Sequence, residues 1–156
     1  MLGAFLWHMS TILITGGSGL IGSALTKALL KEGHSVRWLS RAAGDRNRVM
    51  AFAWHVDKGT MDPSALDGVD HIIHLAGAGI ADKRWTDARK KELEQSRAES
   101  ARLLLRTAKA QSFAPKSFIS SAGINYYGAV TSERVFTEND APGHDHIAHL
   151  SKVWEE

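Results

Sequence analysis

The stretch Ile12-Leu13-Ile14-Thr15-Gly16-Gly17-Ser18-Gly19-Leu20-Ile21-Gly22 constrains the rest of the chain more than any other. An apolar run ends at Thr15 and a glycine-rich turn follows. Leu20, Ile21, Ala24, Leu25, Ala28 and Leu29 then recur at helical spacing. The order is strand, turn, helix. Gly16 allows a sharp turn, Gly19 lets backbone approach a pyrophosphate, and Gly22 lets the helix pack closely. Gly16, Ser18, Gly19, Leu20, Ile21 and Gly22 are therefore the expected phosphate cradle, with N–H groups and helix dipole facing the anion. The spacing is G-x-x-G-x-x-G. A bare glycine triplet is a weak signal, and the flanking strand and amphipathic helix give it its meaning.

Length allows one domain with a sizeable core: 156 residues, 44% hydrophobic and 23% charged. There is no cysteine, which removes disulfides and thiolate metal sites and suits a reducing cytoplasm. The net charge of +2 is spread without a dense basic run, so nucleic acid is not an expected partner. No window approaches a membrane span. Residues 1–10 read as an extension with Met9 as an alternative start. The opening Met1-Leu2-Gly3-Ala4-Phe5-Leu6-Trp7-His8 lacks the charged region and cleavage site of a signal peptide.

Along the chain, Gly33 stops the first helix and Val36–Leu39 forms a second strand. Ser40–Val49 reads as a polar loop and Phe52–Trp54 as a short strand. Pro63–Leu66 is a helical turn within a turn-rich segment. Asp70–Leu75 is a buried strand leading into the small-residue loop Ala76–Gly79. Thr86–Ala110 is a long helix, Lys116–Ser121 the fifth strand, Ala122–Gly143 mostly loop, and His146–Glu156 a further helix. Strands alternating with helices predict an α/β fold with a parallel sheet.

These residues resemble the extended short-chain dehydrogenase/reductase superfamily, in its epimerase-like subgroup. Thr15–Gly22 and His74-Leu75-Ala76-Gly77 carry the superfamily likeness. Ile80-Ala81-Asp82-Lys83-Arg84-Trp85-Thr86, Ser96-Arg97 and Tyr126-Tyr127-Gly128 carry that of the subgroup. The resemblance covers nearly all of 11–156 and implies a Rossmann-type, doubly wound parallel sheet that binds NAD(P). Family members run to roughly twice this length, more than one typical domain. The chain therefore looks like the N-terminal cofactor half, without the last strands and the substrate lobe.

Arg41 stands just past the second strand, after Ser40, where a carboxylate would hold the ribose of NAD. An arginine there suits a 2′-phosphate, so NADP is the expected cofactor and NAD the lesser one. Asp57 is placed to accept from an adenine amino group or to serve as a plain turn residue. Leu75, Ala76 and Gly77 would act through backbone lying against the cofactor. His74, inside a buried strand, reads as a packed, hydrogen-bonded histidine. Glu92 and Ser96 share a helix face. The resemblance brings Glu92 and Arg97 to the cofactor, and a solvated helix face is the alternative. Trp85 reads as a helix cap, a pocket wall or a packed aromatic.

Proton transfer in the superfamily uses a hydroxyl after the fifth strand and a Tyr-x-x-x-Lys helix. Lys152 is in place, but Ala148 stands four residues before it, and the hydroxyl position falls on Ala122, preceded by Ser120 and Ser121. Ser121, Tyr127 and Lys152 are the catalytic candidates, Ser120 a cofactor contact, and Tyr126 a second candidate phenol. His144, His146 and His149 cluster, and they read as surface histidines, with no metal expected. The resulting expectation is an NADP-binding oxidoreductase or epimerase-type domain acting on a small hydroxyl- or carbonyl-bearing substrate, a nucleotide-sugar among the candidates. A dinucleotide-binding sensor without turnover is the alternative. The edge of the sheet at the fifth strand is expected to invite self-association.

Overall fold

A computed structural model describes residues 9–46, 48–121 and 123–155. Expectations resting on residues 1–8, Asn47, Ala122 and Glu156 lie outside them. The element order is β1 (Thr11–Thr15), α1 (Leu20–Lys31), β2 (Ser35–Ser40), β3 (Gly44–Asp45), β4 (Met50–His55), β5 (Thr60–Met61), β6 (His71–His74), α2 (Asp87–Ala110), β7 (Ser117–Ser120) and α3 (His146–Glu155). Single 3-10 turns stand at Val56–Lys58, Pro63–Leu66 and Ile124–Tyr127. Among the described residues no helix is long and apolar enough to cross a membrane.

The chain forms two compact units. The first comprises residues through Ala76 together with Leu103–Ser120. Its sheet runs β3-β4-β2-β1-β6-β7, with β5 paired to β4. The pairs β4-β2, β2-β1, β1-β6 and β6-β7 are parallel. β3 and β5 are antiparallel to β4, so the expected parallel sheet has antiparallel additions along one edge strand. The expectation that helices separate all the strands also needs correction. β2, β4 and β6 are linked by turns, two-residue strands and 3-10 turns, with no α-helix among the described residues between them.

Strand alternation explains the core. Leu13 points to one side, where it packs with Leu39, Trp54, Leu66, Ile72, Leu103 and Leu104. Ile12 and Ile14 point to the other and pack with Val36, Val49 and the α1 residues Leu29 and Leu30. Burial on both faces is what a parallel sheet requires. α1 ends where His34 N donates to Leu29 O and Gly33 N donates to Leu30 O, a Schellman-type stop. At the opposite sheet edge, β7 leaves Ile119 54% and Phe118 37% exposed.

The second unit comprises Gly77–Arg102 and Ser121 onward. The first part of α2 buries Leu93, Arg97 and Ser100, and α3 buries Ala148, Leu150 and Ser151. Asp145 starts α3 by accepting Ala148 N at 2.9 Å and also accepts Ala129 N at 2.7 Å. These bonds, Ala129 first, hold its carboxyl below the ordinary aspartate value. Trp85 does not cap α2. Thr86 does, its hydroxyl accepting Arg89 N, while Trp85 Nε1 donates to Ile80 O at 2.8 Å.

Candidate functional site

In the first unit the strand order reverses between β1 and β6. Open α/β sheets bind ligands beyond the carboxyl ends of the strands at such a reversal. The glycine turn leaves β1 there. Gly16 has φ +71°, and a Cβ on it would sit 2.9 Å from the Leu75 carbonyl oxygen, so only glycine fits the bend. A Cβ on Gly22 would overlap the Gly16 carbonyl oxygen and lie 2.7 Å from Gly17 Cα. The turn is closed by Gly19 N donating to Gly16 O at 3.0 Å. Gly19 is the N-cap of α1 and supplies no side-chain cap, and the first turn holds no acidic residue. The N–H groups of Leu20, Ile21 and Gly22 precede the first intrahelical donor, Ser23 N, which bonds Gly19 O, and are open to an anion. Ser18, Gly19, Leu20 and Ile21 are exposed.

Thr15 ties this turn to the end of β6. Its hydroxyl accepts Leu75 N and Ala76 N, both at 3.0 Å, and lies 2.9 Å from His74 Nδ1. With both lone pairs taken, the hydroxyl proton goes to Nδ1, which makes His74 a neutral imidazole protonated at Nε2. Burial independently lowers the His74 pKa from 6.5 to about 4. His74 is thus the buried, bonded histidine that the sequence suggests. The contribution of Thr15 is missed by sequence reading because it depends on pairing between residues about 60 apart.

The register aligns the other first-unit candidates on the same sheet end. Thr15 pairs Leu39 and His74, His74 pairs Ser120, and Ser40 pairs Ala53. Ser40 is half-buried at the end of β2, and Arg41 follows it, exposed. Asp57 lies exposed in the 3-10 turn after β4. Beneath the glycine turn lies Trp38, whose indole a Cβ on Gly17 would overlap. Trp38 Nε1 donates to Thr26 Oγ1 at 3.0 Å, which in turn donates to Gly22 O at 2.7 Å. This support has no local signature in the sequence.

In the second unit, Ser96 Oγ accepts Ala78 N at 3.0 Å. Gly77 packs on Arg97, whose Cζ would be 3.3 Å from a Cβ there. Arg97 is 5% exposed, lies over the Trp154 ring at 4.8 Å, and donates to Leu93 O. Burial lowers its pKa, helped by the charge of Arg89. Glu92 is exposed and accepts from Arg89 at 2.7 Å, which holds its carboxyl below the usual range. Arg89, which sequence reading passes over, is 6% exposed and also donates to Gly79 O. Ser121 is half-buried, and Lys152 is exposed on α3 one turn after the buried Ala148. Tyr127 OH donates to Thr137 O at 3.0 Å, and its ring stacks on Phe136. Burial, then the Glu138 and Asp140 carboxylates, push the Tyr127 phenol above its usual value. His146 and His149 flank Glu94, 3.8 and 3.7 Å from one of its oxygens.

A family model described as the NAD dependent epimerase/dehydratase family matches residues 12–149. An epimerase family protein of Mycobacterium tuberculosis is 36% identical over 146 residues, which are 94% of this chain and 47% of that protein. The crystal structure of human epimerase family protein SDR39U1 with NADPH superposes with a TM-score of 0.76 at 28% identity, covering 93% of this chain and 47% of that one. That of a nucleoside-diphosphate sugar epimerase from Corynebacterium glutamicum gives 0.73 at 29% identity, covering 94% and 30%. The chain spans about half the length of the curated relatives it matches.

Proposed function

The chain belongs to the NAD dependent epimerase/dehydratase family, and from that premise we propose that it binds NADP in preference to NAD, for chemistry on a small hydroxyl- or carbonyl-bearing compound. The observation that carries this reading is the uncapped turn from Gly16 to Gly22 at the reversal of the sheet, closed so tightly that side chains are excluded at Gly16 and Gly22. Backbone N–H groups of Ser18, Leu20 and Ile21 hold the pyrophosphate, with Gly19, whose own N–H closes the turn onto Gly16 O, leaving room for its approach. Ser40 and Arg41 hold the 2′-phosphate, since a guanidinium forks onto phosphate oxygens where a carboxylate would repel them. Asp57 accepts from the adenine. Leu75 and Ala76, whose N–H groups donate to the Thr15 hydroxyl, and Ser120, paired with His74, line the sheet end. The NADPH bound by the human relative supports this assignment.

When bound, the dinucleotide supplies a nicotinamide ring that gives or takes a hydride. Proton handling falls to Ser121, Tyr127 and Lys152. A phenol held above its ordinary pKa stays protonated at neutral pH, so Tyr127 serves as a donor and not as a base. A second reading, a module that binds the dinucleotide without turnover, is favoured by the buried Ala148 one turn before Lys152, where the superfamily's phenol would stand.

Titrating NADP and NAD into wild type and Arg41→Ala tests the binding. NADP should bind at least tenfold more tightly than NAD, with the advantage gone in the variant. Equal wild-type affinities refute the preference. NADPH oxidation with a panel of aldehydes, ketones and keto-sugars separates the two readings. Turnover that falls in Tyr127→Phe supports catalysis, and no turnover with intact binding supports the module.

A further inference from the structure

One face of α1 carries a second feature, apart from the glycine turn. A groove of about 490 Å³ runs along the helix from Ser23 to Lys31, opposite the segment after β3. The eight steps of helical rise between Ser23 and Lys31 make it about 12 Å long. Lys27 and Lys31 stand on the helix wall, and Arg46 and Arg48 on the facing wall. Leu30, Trp38, Val49 and Thr26 form the floor. Among the described residues no acidic one lines it.

Three observations point the same way. Among the described residues no ion pair engages any of the four cations, so each charge is open to an anion. Arg46 is oriented by donating to the Ala42 carbonyl. Arg48 holds φ +75°, an uncommon conformation for a residue with a side chain, and such strain concentrates at binding segments. Four like charges around one groove repel each other, and an anion between them relieves that repulsion. The volume is that of a small-molecule site, and the mixed lining suits a ligand with one charged and one apolar end.

We propose that this groove binds a phosphorylated small molecule, its phosphate between the lysines of α1 and the arginines opposite, its apolar part on Leu30, Trp38 and Val49. Lys31 also answers the dipole at the helix end, but Lys27, a turn earlier, does not need to. The site extends away from the uncapped end of α1, and it shares with the pyrophosphate cradle only Thr26 and Trp38, which support the glycine turn from beneath. It stands whether or not the dinucleotide reading holds.

The test is a titration of the full 156-residue chain with phenyl phosphate, followed by backbone amide shifts, with and without saturating NADP. Inorganic phosphate reports charge alone. Shifts should appear at Lys27, Lys31, Arg46, Arg48 and Val49 and persist with NADP present. Phenyl phosphate should bind more tightly than inorganic phosphate. Lys27→Ala/Lys31→Ala, two exposed changes to a better helix former, should weaken binding at least tenfold while leaving NADP affinity unchanged. Arg48→Gly, which removes the charge and accepts the positive φ, should weaken it as well. Shifts confined to Gly16–Ile21, displacement by NADP, unchanged affinity in the lysine variant, or tighter binding to a DNA duplex at equal phosphate each overturn the proposal.

Discussion

Gly22→Ala and Gly19→Ala separate folding from binding in the glycine turn. A Cβ on Gly22 meets backbone, the Gly16 carbonyl and Gly17 Cα. That backbone is set by the positive φ of Gly16 and the Gly19–Gly16 hydrogen bond, so it has no free direction in which to yield. Overpacking of this kind costs about 1–3 kcal/mol, and backbone neighbours put it near 3. Alanine in a helix returns about 1 kcal/mol over glycine. The net loss is about 2 kcal/mol, or about 4–8 °C in Tm for a chain of this size. Gly19 differs. Its φ of −74° and ψ of 175° are open to any residue, and a Cβ there meets only Gly16 O at 3.2 Å. Replacing an N-cap glycine by alanine costs about 1 kcal/mol or less. Yet the methyl takes space beside the open N–H groups, so NADP affinity should fall at least tenfold. Thermal melts and calorimetric titration read both variants. A Gly22→Ala protein as stable as wild type, or a Gly19→Ala protein with full affinity, refutes the reasoning.

Three further outcomes follow from the same structure. Thr15→Val removes the hydroxyl acceptor of Ala76 N and the bond to His74, and should cost about 1–3 kcal/mol in urea unfolding; Thr15→Ser should restore most of it, and equal stability of all three proteins contradicts the tether. The His74 pKa is about 4 when folded against 6.5 as the unperturbed value, so the unfolded chain binds more protons in that window and stability should fall as pH drops from about 6.5 to about 4. That slope should shrink in His74→Gln, and an identical slope in both proteins rules out a buried neutral imidazole. At the sheet edge, sedimentation should show concentration-dependent self-association through β7 that Ile119→Lys reduces; a wild type that is monomeric at every concentration, with β7 amides protected from exchange, opposes this.

The main elements were legible where an apolar run met a glycine or proline boundary. β1, α1, β2, β4, β6, α2, β7 and α3 all fall within a residue or two of the sequence reading. Even the short turn at Pro63–Leu66 was legible within its turn-rich segment, and the structure adds its cap, Asp62, whose side chain accepts Ser64 N. β3 and β5 were not legible. Gly44-Asp45 and Thr60-Met61 are two residues each, too short for alternation, and exist only through pairing with β4. The same limit applies to the site. The glycine turn announces itself because its steric demands are local. The Thr15 hydroxyl, the Trp38 support and the Arg89 tether to Gly79 link distant segments, and no local spacing encodes them.

A crystal structure of this chain grown with NADP tests the central claim most directly. The account predicts the pyrophosphate against the backbone N–H groups between Ser18 and Gly22, the 2′-phosphate on Arg41, and no shift of the Thr15–Ala76 hydrogen bond. A dinucleotide seated elsewhere, or one bound at the turn with its 2′-phosphate turned away from Arg41, would contradict it.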